Sequence, residues 1–160
     1  MNDARFSIPQ LARSANRPAH WTPDDAVPWI PGGPGKTAKP LRFLSDDRGF
    51  IELMRLEPGT QIPPHRHTGE VHAYNLEGTR QLSSGEIVGP GDYVFEPAGN
   101  VDSWTAVGDE PLVVLVIVMG TVEYLGRGGV VTQRITATSQ REAYLHYCRE
   151  QAIEALDLLD

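Results

Sequence analysis

Glycine and proline interrupt this chain so often that few long helices fit between them. The sequence contains 16 Gly and 13 Pro in 160 residues, against about 11 and 8 expected from average usage. Proline breaks helices, and glycine favours turns. Because the segments between these residues are short, we expect an all-β protein.

Between residues 40 and 135, the segments have the length and composition of strands. They are rich in β-branched and aromatic residues and are separated by turn sequences such as Pro58-Gly59. The predicted strands are 41–44, 50–57, 70–77, 80–83, 92–96, 101–107, 112–119, 121–125 and 130–135. Short strands without intervening helices favour an antiparallel jelly-roll barrel. The apolar run 112–119 is expected to be a central strand covered on both sides.

The segments on either side of this barrel differ from it. Seven prolines interrupt residues 1–40, which predicts an extended arm followed by a barrel over 41–135. At the other end, Ser139 and Glu142 form a capping-box pattern, which predicts an amphipathic helix over 139–160 packed on the barrel. Its apolar face contains Tyr144, Cys148, Ala152, Leu156 and Leu159. We interpret Cys148 as a small core residue.

Composition argues against several classes of partner. The formal charge is −7, and the 12 Arg and 2 Lys are scattered, which argues against binding to nucleic acid or anionic membranes. The single cysteine excludes an internal disulfide and a site with several thiolates. The first residues lack an apolar segment of signal-peptide length, and the run 112–119 is shorter than the roughly 20 residues that span a bilayer. We therefore expect a cytoplasmic protein.

Three of the five histidines lie close together in the sequence, at His65, His67 and His72. In an extended chain, His65 and His67 point to the same face, where two imidazoles form a pair of metal ligands. Two solvated loop histidines would be the alternative for an isolated pair of this kind.

The spacing around these histidines resembles the two motifs of the cupin superfamily. The first motif is Gly59, five residues, His65-x-His67, four residues, His72, five residues and Gly78; the second is Gly91, five residues, Pro97-x-Gly99, two residues and Asp102. The resemblance implies a double-stranded β-helix barrel with a metal site, in which cupins use two histidines and a glutamate from the first motif.

Stretches 63–78 and 93–104 resemble the 2,4'-dihydroxyacetophenone dioxygenase family more closely. That family is related to acetylacetone-cleaving enzymes and to the cupin domain of certain anti-sigma factors. The resemblance implies a mononuclear Fe(II) site and cleavage by O2 of a carbon–carbon bond next to a carbonyl, in a small hydroxyketone or β-diketone. We also expect a homodimer.

The resemblance implies His65, His67, His72 and Asp102 as ligands, with none of the catalytic residues separate from them. His72 stands where cupins have glutamate, although the commoner spacing puts Val71 there, and Asp102 stands where the second motif has histidine. Glu70 and Glu86 remain alternative carboxylate ligands. Nitrogen and oxygen ligands suit Fe(II), and also Zn, Mn, Ni or Co.

Tyr74 and Trp104 flank the motif residues and are candidates for the walls of a substrate pocket or for core packing. Two alternatives to a dioxygenase remain. One is a non-catalytic metal-binding or sensing module of the anti-sigma type, and the other is a metal-dependent isomerase or lyase that works without O2.

Overall fold

The computed structural model describes residues 19–160, which form two antiparallel sheets with strands numbered in chain order. The first sheet contains, in spatial order, β1 (Ile30–Pro31), β2 (Lys36–Leu44), β3 (Gly49–Leu56), β10 (Leu112–Met119), β5 (Val71–Glu77) and β8 (Tyr93–Glu96). The second contains β12 (Val131–Ile135), β11 (Val122–Leu125), β4 (Gln61–His67), β9 (Val101–Val107), β6 (Thr79–Leu82) and β7 (Ile87–Val88). The two sheets form a jelly-roll barrel, which confirms the all-β prediction.

Strand β10 lies in the middle of the first sheet, as predicted, and pairs with β3 and β5. Its side chains alternate: Leu112, Val114, Val116 and Val118 are buried in the core. The outward side chains between them are only half-buried. The strand is therefore central, but its outer face is less covered than the apolar sequence predicts.

Strand β4 was not among the predicted strands, because Pro63-Pro64 lies within it. The strand nevertheless pairs with β9 and β11, and its register against β9 is interrupted between Ile62 and His65. Proline has no backbone N–H to donate, so this interruption lets the strand accommodate both prolines. Pairing resumes at His65, which lies opposite Asp102.

The N-terminal boundary of the barrel differs from the prediction. Strands β1 and β2 begin within the segment predicted as an arm, and they pair through Ile30 and Ala38. A 3₁₀ turn over Asp24–Ala26 precedes them, and Val27 is buried in the core. Residues 19–40 therefore contribute strands and core contacts, while residues 1–18 of the predicted arm lie outside the described residues.

The C-terminal helix α1 (Ala137–Glu150) is shorter than predicted and begins earlier. Thr136, not Ser139, is the N-cap: its side chain accepts a hydrogen bond from the Ser139 amide at 3.1 Å, and the Thr136 amide donates to the Ser139 hydroxyl at 2.9 Å. Beyond the helix, Ala152 has a left-handed φ of 54°, and the chain turns back.

Residues 151–160 form an irregular tail instead of continuing the helix. The Phe43 amide of β2 donates to the Leu158 carbonyl at 2.9 Å, and the Asp160 amide donates to the Phe43 carbonyl at 3.1 Å. Tyr144 and Cys148 are buried between helix and barrel, as predicted. Among the described residues, no helix is long and apolar enough to cross a membrane.

Candidate metal centre

A cavity of about 670 Å³ lies between the two sheets, within the size range of small-molecule sites. Its walls are largely apolar and include Phe50, Met54, Ile62, Trp104, Val116 and Val118. A few polar side chains also line it, and the most deeply buried are His65, His67, Arg80, Glu96 and Glu52.

His65, His67 and Glu96 form a cluster in the wall of this cavity. Their ligand atoms all lie within 4.8 Å of one another, and all three residues are buried. The two histidines alternate along β4 in the second sheet, while Glu96 ends β8 in the first. Both sheets therefore contribute to the cluster, which we call the metal cluster.

Neighbouring groups orient these side chains. His65 Nδ1 lies 2.9 Å from the Pro63 carbonyl oxygen, and because a carbonyl only accepts, Nδ1 must donate and Nε2 keeps its lone pair. Glu96 Oε1 accepts a hydrogen bond from Asn100 Nδ2 at 2.8 Å, while its Oε2 lies 3.7 Å from His67 Nε2. Such supporting bonds are typical of metal ligands.

The electrostatics of His67 suit a metal ligand. Burial and the neighbouring His65 lower the pKa of His67 to about 4, although the charge of Asp102 opposes this shift. The imidazole is therefore neutral at pH 7, which is the form that binds metals. Its Nδ1 is buried without a hydrogen-bond partner among residues 19–160. Two histidines and one carboxylate are also the donor set of non-haem Fe(II) oxygenases, so the residues fit a divalent ion.

Arg80 on β6 places a buried positive charge in the same cavity. Its guanidinium lies 4.8 Å from the centre of the Trp104 ring. Burial lowers the pKa of Arg80, whereas the charges of Glu96 and Asp102 favour the protonated form. Its Nε and Nη2 have no hydrogen-bond partner within the described part of the chain. Because an unpaired buried donor is costly, this arrangement favours binding of an anionic oxygen beside the metal cluster.

The structure does not bring His72 to the metal cluster. On β5, Val71 and Ala73 face the cavity, and alternation turns His72 to the outer surface. There His72 Nδ1 lies 2.6 Å from the Tyr93 hydroxyl, and Nε2 lies 3.2 Å from Glu70 Oε1. The assignment of His72 as a ligand is therefore corrected.

Glu96, which the sequence analysis missed, supplies the carboxylate from the neighbouring strand. It lies opposite Val71 in the register between β5 and β8. Cupins with the commoner spacing would have glutamate at the position of Val71, so here the carboxylate has moved across one strand. The signal in the sequence was its position directly before Pro97 of the second motif.

The other proposed carboxylates also lie outside the metal cluster. Asp102 Oδ1 accepts hydrogen bonds from the Ser83 hydroxyl at 2.5 Å and from the Ser103 amide at 2.8 Å. Its charge still influences His67 and Arg80. Glu70 and Glu86 are exposed.

The two predicted pocket residues lie on different surfaces. Trp104 is buried and lines the cavity. Tyr74 is 44% exposed and faces outward, because it has the same strand parity as His72. The pocket assignment of Tyr74 is therefore wrong.

Comparison with known proteins gives one family match. The sequence matches the ChrR cupin-like domain family over residues 18–123, and no curated protein matches it. Among solved structures, an RmlC-like cupin protein from Ralstonia eutropha JMP134 has a TM-score of 0.84 at 22% identity, covering 89% of this chain and 95% of that one.

Two further structures belong to proteins described as acetylacetone dioxygenases. The one from Acinetobacter johnsonii has a TM-score of 0.69 at 16% identity, covering 81% of this chain and 92% of that one. A putative one from Methylibium petroleiphilum PM1 has a TM-score of 0.72 at 15% identity, covering 80% and 95%. At these identities, the likeness shows the fold alone.

Proposed function

The chain belongs to the ChrR cupin-like domain family, and we propose that it is a metal-dependent dioxygenase that cleaves a carbon–carbon bond next to a carbonyl in a hydroxyketone or β-diketone. The observation that carries this proposal is the metal cluster of two histidines and one glutamate in the wall of an apolar cavity. The resemblance of residues 63–78 and 93–104 to dihydroxyacetophenone dioxygenases, and the acetylacetone dioxygenases among the structural neighbours, support the same chemistry.

His65, His67 and Glu96 would hold the metal, and Fe(II) is the ion we propose; Zn, Mn, Ni and Co suit the same donor set. When bound, Fe(II) would supply the redox chemistry with O2 and the Lewis acidity that a chelating ketone needs. Two neutral imidazoles and one carboxylate leave one positive charge on a divalent ion. A monoanionic enolate would neutralise that charge.

Arg80 and the apolar walls would position the substrate. The unpaired Nε and Nη2 of Arg80 can donate to the anionic oxygen of an enolate, and the Trp104 ring keeps the guanidinium in place. The apolar walls exclude water, which strengthens this ion pair. The chain would thus hold and orient the enolate close to the metal cluster.

Oxygen uptake tests this proposal. The protein is loaded with Fe(II) without O2, mixed with acetylacetone or 2,4'-dihydroxyacetophenone, and followed with an oxygen electrode. We expect uptake with at least one ketone and incorporation of ¹⁸O from labelled O2 into the acidic products. Zn-loaded protein is the control and should consume none. No uptake by the Fe(II) protein with either ketone would contradict the proposal.

The family match favours one second candidate, a non-catalytic metal-binding or sensing module. Such a module would bind metal through the same three residues but consume no O2. A metal-dependent isomerase or lyase would instead convert its substrate without O2, which NMR of the anaerobic mixture would reveal.

A further inference from the structure

The cavity contains a second carboxyl group, that of Glu52, which the proposed chemistry does not use. Glu52 lies on β3 with its side chain facing inward, and it is 5% exposed. In the first sheet it lies opposite Val116, and Val116 lies opposite Ala73. Strand β3 is three strands away from β8, which holds Glu96. The two backbones are therefore about 14 Å apart at typical strand spacing, so Glu52 lies across the cavity from Glu96.

One oxygen of this carboxyl is held and the other is free. Oε2 accepts a hydrogen bond from Gln140 Nε2 of helix α1 at 3.1 Å. Oε1 has no hydrogen-bond partner within residues 19–160. Gln140 also lines the cavity, so helix α1 positions the carboxyl at the cavity wall.

Burial sets the protonation of this group. Desolvation raises the pKa of Glu52, and the opposing effects of Lys36 and Gln140 are smaller. Lys36 forms no ion pair with Glu52 in the described part of the chain. An acidic group of this kind is costly to bury unless it serves a ligand.

On the basis of the function proposed above, we infer that Glu52 recognises a hydroxyl group at the end of the substrate remote from the metal cluster, with Gln140 as its positioning residue. The substrate class is then a hydroxyaryl ketone instead of an alkyl diketone. Its two chelating oxygens lie at the metal cluster, and its ring lies between the apolar walls. A hydroxyl both donates and accepts, so it can bond to Oε1 in either form of the carboxyl.

A purely structural role is the competing explanation, in which the bond between Glu52 and Gln140 only fastens helix α1 to the barrel. That role predicts loss of stability when Glu52 is replaced, but no change in ligand preference. A matched pair of ligands separates the two explanations: 2,4'-dihydroxyacetophenone and 2-hydroxyacetophenone differ only in the ring hydroxyl.

The test is calorimetric titration of both ligands into the full-length Fe(II)-loaded protein without O2. The wild type is expected to bind 2,4'-dihydroxyacetophenone about tenfold more tightly or better, because a site built for a hydroxyl discriminates strongly against its absence. Glu52→Leu should bind the two ligands equally. Glu52→Gln should keep most of the preference, since its amide can still bond to the hydroxyl, and Gln140→Leu should reduce it. Metal content and circular dichroism are measured for each variant.

Three results would overturn the inference: equal binding of the two ligands by the wild type, binding of neither, or an unchanged preference in Glu52→Leu. If Glu52→Leu fails to fold, an unchanged preference in Gln140→Leu overturns the positioning by Gln140, and equal binding by the wild type still overturns the recognition. Because the titration contains no O2, failed oxygen uptake with an intact preference would refute the dioxygenase and leave the recognition standing.

Discussion

Val71 and His72 leave strand β5 on opposite faces, so adjacent residues with similar sequence claims have different environments. Val71 faces the cavity opposite Glu96, whereas His72 bonds to Tyr93 and Glu70 on the outer surface. At the residue scale, the direction of the side chain therefore outweighs the motif spacing that favoured His72 as a ligand.

Replacement of His72 tests this placement. His72→Ala should bind Fe(II) as the wild type does, because the imidazole is outside the cavity, whereas His67→Ala should lose about tenfold or more in affinity. Metal content after anaerobic loading and desalting, measured by mass spectrometry of the metal, provides the comparison. Loss of metal from His72→Ala with a normal circular dichroism spectrum would return His72 to the ligand set.

Glu52 also has a consequence for stability. Burial raises the pKa of its carboxyl in the folded state above the ordinary value of 4.5, so the folded protein binds this proton more tightly than the unfolded chain does. The wild type therefore loses stability as pH rises from 4.5 through the folded-state pKa. Glu52→Gln keeps an acceptor for Gln140 but does not ionise.

We expect Glu52→Gln to be more stable than the wild type at pH 8, with a difference that shrinks toward pH 5. Urea unfolding at pH 5, 6, 7 and 8 measures it. A difference that stays constant with pH, or a variant that becomes less stable as pH rises, would show that Glu52 is charged in the folded protein.

At the scale of elements, helix α1 joins the C-terminal tail to the barrel through Tyr144. The Tyr144 hydroxyl accepts a hydrogen bond from the Leu156 amide at 2.8 Å and donates to the Leu156 carbonyl at 3.2 Å. The ring itself packs against Phe43 of β2. One buried side chain therefore determines where the tail lies.

Tyr144→Phe should destabilise the protein by about 1–3 kcal/mol, because the ring remains packed while the Leu156 backbone groups lose their partner. Chemical denaturation provides the free energy of unfolding. Tyr147→Phe on the same helix is the control and should change it by less than about 0.5 kcal/mol. Equal effects of the two substitutions would contradict the role of the Tyr144 hydroxyl.

The limits of sequence interpretation also follow from these elements. Alternation along one strand predicted most strands and the pairing of His65 with His67, because both properties are local. Proline in β4 concealed a strand that only its partners β9 and β11 stabilise. The apolar period beyond residue 151 suggested a longer helix, whereas those side chains lie in a tail against β2. The place of Glu96 depends on the register between β5 and β8, which sequence spacing does not contain.

At the scale of the whole molecule, the two sheets together form the cavity and the metal cluster. The histidines come from one sheet and Glu96 from the other, so the site requires the closed barrel. The expected homodimer stays a prediction. Size-exclusion chromatography with light scattering should give about twice the 17.6 kDa of one chain, and the mass of a single chain would contradict it.

The central claim is that His65, His67 and Glu96 bind the metal and that Asp102 does not. The most direct measurement is the affinity for Fe(II) under anaerobic conditions of the wild type, Glu96→Gln and Asp102→Asn. We predict one ion per chain for the wild type and Asp102→Asn, and an affinity lower by about tenfold or more for Glu96→Gln. Unchanged binding by Glu96→Gln together with loss of metal from Asp102→Asn would contradict the claim.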